Sequence, residues 1–372
     1  MSSSLPYALL ALVSVIAFLG FFLAATPFLQ RKGEVFAVTL PREALDDVRV
    51  SVMKKRYVLV VALLAIALSL ICLALIPSGD QAMFFAVYTI SVVAELAISY
   101  GLMLFYRQKV IALKQERSWS VEVSRAAAVV GEEGDVVPKA VSLWWNLLYL
   151  PIIAVTFAII ALSYDAIPDM VPMHIGFDGE VNGWMQKGIG VFAFPLGIEI
   201  FLAAVMTLSH YMMTVSKKWT DPGAPATSAW AYGCYLRANT AFIVIAGLLL
   251  CAVIGVGMAL AIVDAVGLGV MVAAIIFVTL FICVGSAALS IYYGQAGSRL
   301  VTRVENISGA SEDDACWKLG AFYWNPDDAS AVIPKRFGFG WTINWARPVV
   351  WAWVVGFVVL NVAFVVFCFT LV

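Results

Sequence analysis

Long apolar runs separated by polar gaps are the main pattern of this chain. Eight runs are long enough to cross about 30 Å of hydrocarbon, a distance that takes about 20 helical residues. The sequence therefore predicts an all-α integral membrane protein with eight transmembrane helices and small extended segments in its loops. The predicted spans lie near residues 5–26, 57–76, 82–104, 146–163, 189–210, 240–263, 267–291 and 348–371.

The Lys and Arg residues are distributed very unevenly among the gaps. Twenty-two of the 23 lie in four gaps, and the remaining one is Lys187. Since basic residues accumulate in cytoplasmic loops, these gaps are predicted to be cytoplasmic and both chain ends to lie outside (N-out and C-out). A signal peptide carries basic residues before its apolar run. The first run of this chain has no Lys or Arg before it, so we expect an uncleaved anchor. The basic gaps are 27–56, 105–145, 211–239 and 292–347.

The composition agrees with a membrane protein and argues against a nucleic-acid partner. The 372 residues are 63% apolar and 13% charged, whereas soluble domains carry roughly 25% charged residues. The formal net charge of −1 gives no bulk attraction to nucleic acid, so no nucleic-acid partner is expected. None of the six cysteines forms a C-x-x-C pair, and we interpret them as small core residues rather than as a disulfide framework or a zinc knuckle.

The loop lengths repeat along the chain, running long, short, long within spans 1–4 and again within spans 5–8. The ends of spans 3 and 7 also resemble each other, as FYRQ and YYGQ. We interpret this as a tandem duplication of a four-helix unit about an axis along the membrane normal. Chance similarity among interfacial aromatic and basic residues is the alternative. The predicted domains are a first four-helix unit at 1–163, an extracytoplasmic loop at 164–188, and a second four-helix unit at 189–372 that includes the cytoplasmic loop 292–347.

The predicted outer loop 164–188 is acidic and carries turn signals. Pro168 and Pro172 end the preceding helix, and Asp178 followed by Gly179 is typical of a hairpin tip. Four carboxylates and one lysine give the loop a formal charge of −3, so we expect it to attract a cationic peptide or a metal ion. The hypothesised ligand-binding residues are His174, Asp178, Glu180, Trp184 and Lys187.

His174 is one of two histidines in the chain. With carboxylates nearby it could ligate a metal ion or act as a proton switch. A structural histidine that caps the loop is the alternative interpretation. A catalytic zinc ion normally needs three protein ligands, and the sequence holds no H-E-x-x-H motif, so any metal role of His174 stays open.

The outer loop and its flanking helices resemble a bacterial membrane domain found in the SdpI immunity-protein family. The resemblance covers about residues 145–210 and follows a proline pair, then His, Gly and Lys. It implies a protein of the bacterial cytoplasmic membrane that protects against a secreted peptide toxin. It also implies a receptor that holds a transcriptional repressor, and hence a cytoplasmic regulatory partner. The residues that carry the resemblance are Pro168, Pro172, His174, Gly179, Trp184 and Lys187.

An aromatic segment in loop 292–347 precedes the last span. Phe337, Phe339 and Trp341 alternate with glycine, which places the three rings on one face if the segment is extended. A Lys-Arg pair stands directly before them. We interpret the three aromatics, together with Trp145 before span 4, as anchors at the cytoplasmic lipid surface. A ligand pocket is the alternative.

Two carboxylates lie inside predicted spans, Glu95 in span 3 and Glu199 in span 5. A carboxylate at that depth costs about 2.5–3.5 kcal/mol on insertion scales, so it is expected to face a partner or water. Both residues are therefore candidates for a proton- or ion-coupled site. A protonated Glu that hydrogen-bonds a neighbouring helix is the structural alternative.

Three functional hypotheses remain from the sequence. The first is an immunity or signal-receptor protein that senses or neutralises an extracytoplasmic peptide or envelope signal. The second is a proton- or ion-coupled transporter that uses Glu95 and Glu199, and the third is a membrane metalloenzyme around His174. The sequence shows no phosphate loop, nucleotide fingerprint, nucleophile elbow or haem motif, so no catalytic residue and no cofactor are predicted and an enzyme has little support.

Overall fold

The computed structural model describes residues 5–31, 33–121, 137–175, 181–218, 220–221, 224–305, 313–338 and 340–371. Within these ranges, eight helical segments are long and apolar enough to span a membrane, which confirms the predicted eight-span, all-α class. The α-helices are α1 (Leu5–Leu29), α2 (Val48–Leu75), α3 (Gln81–Glu116), α4 (Tyr149–Leu162), α5 (Gly190–Thr214), α6 (Pro225–Cys251), α7 (Gly257–Ile262), α8 (Leu268–Tyr293), α9 (Ser298–Glu305) and α10 (Pro348–Leu371). A π-helical turn joins α6 to α7, so these two helices form one span.

The tight connection between α2 and α3 follows from its local sequence. Gly79 takes a φ of +72°, a left-handed conformation that glycine adopts without steric cost. The next residue, Asp80, accepts a hydrogen bond from the backbone N–H of Met83 over 2.9 Å. This cap satisfies one of the free N–H groups at the start of α3. The chain therefore reverses within a few residues, as the short gap predicts.

The spans pack in two groups. Helices α1, α2 and α3 pack against one another, and α4 to α8 form a second group with α10 lying along α5. In the first group α2 packs against α1 and α3, and in the second group α6 packs against α5 and α8. Helix α4 packs mainly against α5, α6 and α7, and the expected division of the chain after residue 163 stays a prediction. The tandem duplication stays a prediction from the sequence.

The structure describes four two-stranded antiparallel hairpins in the loops. A bridge between Tyr323 and Asn344 brings the third hairpin beside the fourth. We call residues 313–347, which hold these last two hairpins, the strand module. The strands are β1 (Glu34–Val35), β2 (Val38–Thr39), β3 (Met170–Ile175), β4 (Val181–Gln186), β5 (Trp317–Lys318), β6 (Phe322–Tyr323), β7 (Val332–Pro334) and β8 (Trp341–Ile343).

The aromatic segment before α10 is a hairpin turn rather than one extended strand. Strand β7 ends at Pro334, and the chain turns into β8 through Gly338 and Gly340, whose φ angles are +86° and +87°. The expected extended conformation of this segment is therefore wrong, because the left-handed glycines reverse the chain. Phe339 lies outside the described residues.

Two of the aromatic residues expected to anchor the chain in lipid pack instead against aromatic side chains of the transmembrane helices. The ring centroid of Phe337 lies 6.2 Å from that of Tyr57 in α2, and the centroid of Trp341 lies 5.6 Å from that of Tyr235 in α6. Trp145, by contrast, is 56% exposed. Of these three aromatic residues, Trp145 is the one with a free surface suited to lipid contact.

Large apolar side chains remain exposed along α8 and α10. Phe277 is 70% exposed on α8, and Phe369 is 81% exposed on α10. Such long apolar surfaces are rare on proteins surrounded by water. Helices whose backbone groups bond internally are also the form that hydrocarbon tolerates. These surfaces are the ones that lipid covers.

Candidate functional site

The loop between α4 and α5 forms hairpin β3–β4, and Lys187 fixes its base. The Lys187 ammonium donates to the carbonyl of Ile167 over 2.9 Å and lies 4.9 Å from the ring centroid of Tyr164. Its backbone N–H donates to the carbonyl of Asp169 over 2.8 Å. These contacts satisfy carbonyl groups in the segment that leaves α4. Lys187 therefore has a structural task beside the ligand-binding role that the sequence predicts.

The hairpin packs on the ends of three helices. Val171 of β3 and Met185 of β4 are buried with Ile160 of α4, Val191 of α5 and Ala259 of α7. Side chains that are this closely packed share displacements, because protein interiors contain few voids. A displacement of the hairpin would therefore be transmitted to the start of α5.

Two of the other predicted ligand-binding residues, His174 and Trp184, belong to the described strands of the hairpin. Trp184 is 49% exposed, and the backbone of His174 pairs with Gly183 at a register shift in β3. Asp178 and Glu180 lie outside the described residues. Among the residues that are described, no group of three or more His, Cys, Asp or Glu side chains is placed to hold a metal ion. The ligand and metal roles of these residues stay predictions.

Glu199 is fully buried in the middle of α5. A Cβ on Gly255 would lie 2.4 Å from the carboxyl carbon of Glu199, so the glycine makes room for the carboxyl group. Gly255 belongs to the π-helical turn Ala252–Val256, a distortion that is frequent at functional sites. The Thr156 hydroxyl of α4 faces the carboxyl group, but in the described part of the chain neither side chain has a partner in hydrogen-bonding geometry.

Glu95 occupies a comparable place in the first group of helices and is also fully buried. A Cβ on Gly20 of α1 would lie 2.3 Å from Oε1 of Glu95 and 2.2 Å from the Cβ of Ala65 in α2. Neither carboxyl oxygen of Glu95 has a hydrogen-bond partner among the described residues. The structure places Glu95 and Glu199 in different helix groups, so they do not form one shared site.

His210 joins the far end of α5 to the segment before α4. Its ring is fully buried, with Nδ1 3.0 Å from Nδ2 of Asn146 and Nε2 3.0 Å from the carbonyl oxygen of Val141. The amide nitrogen donates and the carbonyl accepts, so these contacts fit a neutral imidazole with its proton on Nε2. His210 therefore acts as a structural link.

Lys217, which follows α5, attaches the strand module. Its ammonium lies 2.6 Å from Oδ2 of Asp328, and its backbone N–H donates to the carbonyl of Val332 over 2.8 Å. Burial alone would raise the pKa of Asp328, but the hydrogen bonds from Lys217 and Ser330 hold it below its usual range. Burial raises the pKa of Tyr323, whose hydroxyl remains protonated and donates to the same Oδ2 over 3.0 Å.

A second attachment of the strand module was missed by the sequence analysis. The Arg336 side chain is only 1% exposed and pairs with Asp313 and Asp314 of its own module. Its Nε also lies 3.6 Å from Oε1 of Glu34 beside β1. Arg107 of α3 donates to the carbonyl of Trp317 over 3.3 Å. We call this cluster, with residues 36–37, the arginine junction. Arg336 therefore faces the protein interior rather than the lipid surface.

The turn between β1 and β2 gives the junction a strained backbone. Phe36 and Ala37 have φ angles of +48° and +59°, a left-handed conformation that is costly for residues with a Cβ. The Phe36 ring stacks on Tyr106 with centroids 5.3 Å apart, and the Ala37 carbonyl accepts from Arg107. These contacts hold the strained turn in place, as such conformations require. No glycine or asparagine in the sequence signals this turn.

Two short segments match known domain families. Residues 151–198 match the Domain of unknown function (DUF1648), which covers most of α4, hairpin β3–β4 and the first part of α5. Residues 326–351 match the Family of unknown function (DUF5808), which covers hairpin β7–β8 and the start of α10. No curated protein and no solved structure matches the chain. The first segment contains hairpin β3–β4, and Lys217, which follows α5, is bonded to Asp328 and Val332 of the second segment.

Proposed function

We propose that this multi-pass membrane protein is an immunity or signal-receptor protein of the bacterial cytoplasmic membrane. Hairpin β3–β4 senses or neutralises an extracytoplasmic peptide or envelope signal. The observation that supports this proposal is the position of α5. One end of α5 carries the hairpin, and the residue Lys217 just beyond its other end is bonded to the strand module.

The ligand class follows from the chemistry of the hairpin. Its loop carries a formal charge of −3, with four carboxylates and one lysine in 164–188. Trp184 adds an exposed ring that can pack on an apolar side chain. A cationic amphipathic peptide complements both features, because opposite charge steers it to the loop and aromatic contact retains it.

Transmission to the cytoplasm would run through packed elements. The strand module bonds to Lys217, just beyond the end of α5, and contacts α3 and β1 through the arginine junction. A displacement of α5 therefore changes the position of the module relative to the first helix group. A cytoplasmic regulatory protein that binds the module would respond to this change, which makes the two sites energetically coupled.

Protection from a cationic peptide tests the proposal. A sensitive bacterial strain that expresses the protein is challenged with a synthetic cationic amphipathic peptide, and the minimal inhibitory concentration is measured. We expect the wild-type chain to raise this concentration and the double variant Asp178→Asn/Glu180→Gln to abolish the increase, because the tip loses its charge.

A carboxylate elsewhere on the same predicted side provides the control. Asp264 is exposed in the turn between α7 and α8, and its left-handed φ of +58° suits asparagine. Asp264→Asn should therefore protect like the wild type at an equal membrane level. Full protection by the hairpin-tip double variant would contradict the proposal.

A second candidate function, proton- or ion-coupled transport, is favoured by the two buried carboxyl groups. Glu95 and Glu199 are fully buried without hydrogen-bond partners among the described residues, which is costly unless the groups have a task. In proteoliposomes with an internal pH dye, Glu199→Gln should then abolish proton flux, whereas Glu116→Gln should not, since Glu116 is exposed and pairs with Arg49. Flux equal to wild type in Glu95→Gln and Glu199→Gln would exclude both residues.

A further inference from the structure

A polar cavity of about 330 Å³ lies where α1 ends and α2 begins. Its size is at the lower end of the range for small-molecule sites, about 300–1,000 Å³. The surrounding chain leaves α1, forms hairpin β1–β2 and returns into α2, so the cavity is at the level where a span meets the membrane surface. The polar side chains that line it are Gln30, Arg31, Glu34, Arg42, Asp46 and Lys54.

The buried amide group of Gln30 indicates that this cavity is suited to a ligand. Its side chain is only 7% exposed, yet its amide nitrogen and its amide oxygen both lack a hydrogen-bond partner among the described residues. Buried polar groups in proteins are nearly always hydrogen-bonded, and an unsatisfied one costs about 1–3 kcal/mol. A ligand oxygen that accepts from the amide nitrogen would remove part of this cost.

The charges of the cavity select an anion. Three cationic side chains line it against two carboxylates, those of Glu34 and Asp46. Glu34 is already neutralised, because Arg31 pairs with it at 2.8 Å and Arg336 approaches it to 3.6 Å. With Arg31 set against Glu34, Arg42 and Lys54 face the single carboxylate of Asp46, which leaves a formal charge of +1 in the cavity.

We propose that this cavity binds a phosphate group. Arginine, lysine and amide N–H donors are the groups that bind phosphate oxygens in proteins. Basic pockets between spans at the membrane surface bind the headgroups of anionic lipids. A phospholipid headgroup and free inorganic phosphate offer the same chemistry, and the experiment distinguishes these two sources.

Binding to the full-length protein in detergent tests the proposal with two probes, phosphatidylglycerol and sodium phosphate. Phosphatidylglycerol adducts are measured by native mass spectrometry, and phosphate is measured by the shift of the thermal unfolding midpoint against equal sodium chloride. We expect Lys54→Met and Gln30→Leu each to weaken binding of the active probe about tenfold, the effect of losing one charge-assisted hydrogen bond.

Lys55→Met is the matched control, because Lys55 is the exposed neighbour of Lys54 on the same helix and does not line the cavity. It should bind as the wild type does. Binding of phosphatidylglycerol alone identifies a lipid headgroup, and binding of sodium phosphate identifies the free anion; either supports the proposal. The proposal is overturned if neither probe binds the wild type, or if Lys54→Met and Gln30→Leu, eluting as folded protein, bind like the wild type.

Discussion

Buried polar side chains in this protein are of two kinds. Arg336 and His210 are almost completely buried and have several partners, so each fixes neighbouring segments in place. Glu95 and Glu199 are equally buried, but among the described residues neither has a partner in hydrogen-bonding geometry. Because an unsatisfied buried group is costly, it persists where it serves a purpose. The sequence located both glutamates from their depth in apolar runs, whereas the partners of Arg336 required the folded chain.

Stability toward acid should depend on the bond between Lys217 and Asp328. The pKa of Asp328 is below its usual range in the folded protein, so the carboxylate stabilises the fold above its unfolded pKa. This contribution is lost as pH falls through the folded pKa. We expect Lys217→Met to lower the thermal unfolding midpoint at neutral pH and to lose less stability than the wild type on acidification.

Lys218→Met provides the comparison, because Lys218 is exposed beside Lys217. Thermal unfolding in detergent is followed from pH 7 down to about pH 2, so that the scan passes well below the usual Asp pKa of about 3.9. Lys218→Met should keep the wild-type pH profile. A Lys217→Met profile parallel to that of the wild type at every pH would contradict the assigned role of the pair.

At the scale of elements, the sequence predicted those features that have a local cause. Run length predicted the eight spans, and Asp178-Gly179 predicted the reversal between β3 and β4. The turn at Phe36–Ala37 has no local signal, because its left-handed backbone is held by side chains from α2, α3 and the strand module. The partners of Arg336 were equally hidden, since the Ala37 carbonyl lies 299 residues away in the sequence.

Close helix contacts predict a specific effect of Gly20→Ala. The new Cβ would lie 2.2 Å from the Cβ of Ala65 and 2.3 Å from Oε1 of Glu95, so α1 must move away from α2 and α3. Overpacking of this kind costs about 1–3 kcal/mol. We expect a lower thermal unfolding midpoint in detergent.

The control for this change is Gly101→Ala in α3. A Cβ on Gly101 meets no atom within 4 Å, and alanine favours a helix over glycine, so stability should stay equal or rise. Equal midpoints for Gly20→Ala and Gly101→Ala would show that the contacts of α1 with α2 and α3 are looser than these distances require.

At the scale of the whole molecule, the strand module connects the two helix groups at the end where the basic loops lie. It bonds to the first group through Arg107 and Arg336, and to the second through Lys217 and Gln295, which accepts from the N–H of Gly340 over 3.2 Å. Hairpin β3–β4 lies at the opposite end of α5. The receptor proposal therefore depends on which end of α5 faces the cytoplasm, and this orientation follows from the charge distribution rather than from the packing.

Alkaline phosphatase fusions test this orientation, because the enzyme is active only outside the cytoplasm. Fusions after Gly79 and after the C-terminal residue should be active, and a fusion after Ser118 should be inactive, since Ser118 lies within the basic gap 105–145. The opposite pattern would place hairpin β3–β4 in the cytoplasm, where it meets no external peptide, and the receptor proposal would fail. The phosphate cavity near Gln30 would then face the outer surface, yet its donors and its charge would be unchanged. The orientation thus decides the proposed function without deciding whether the cavity binds an anion.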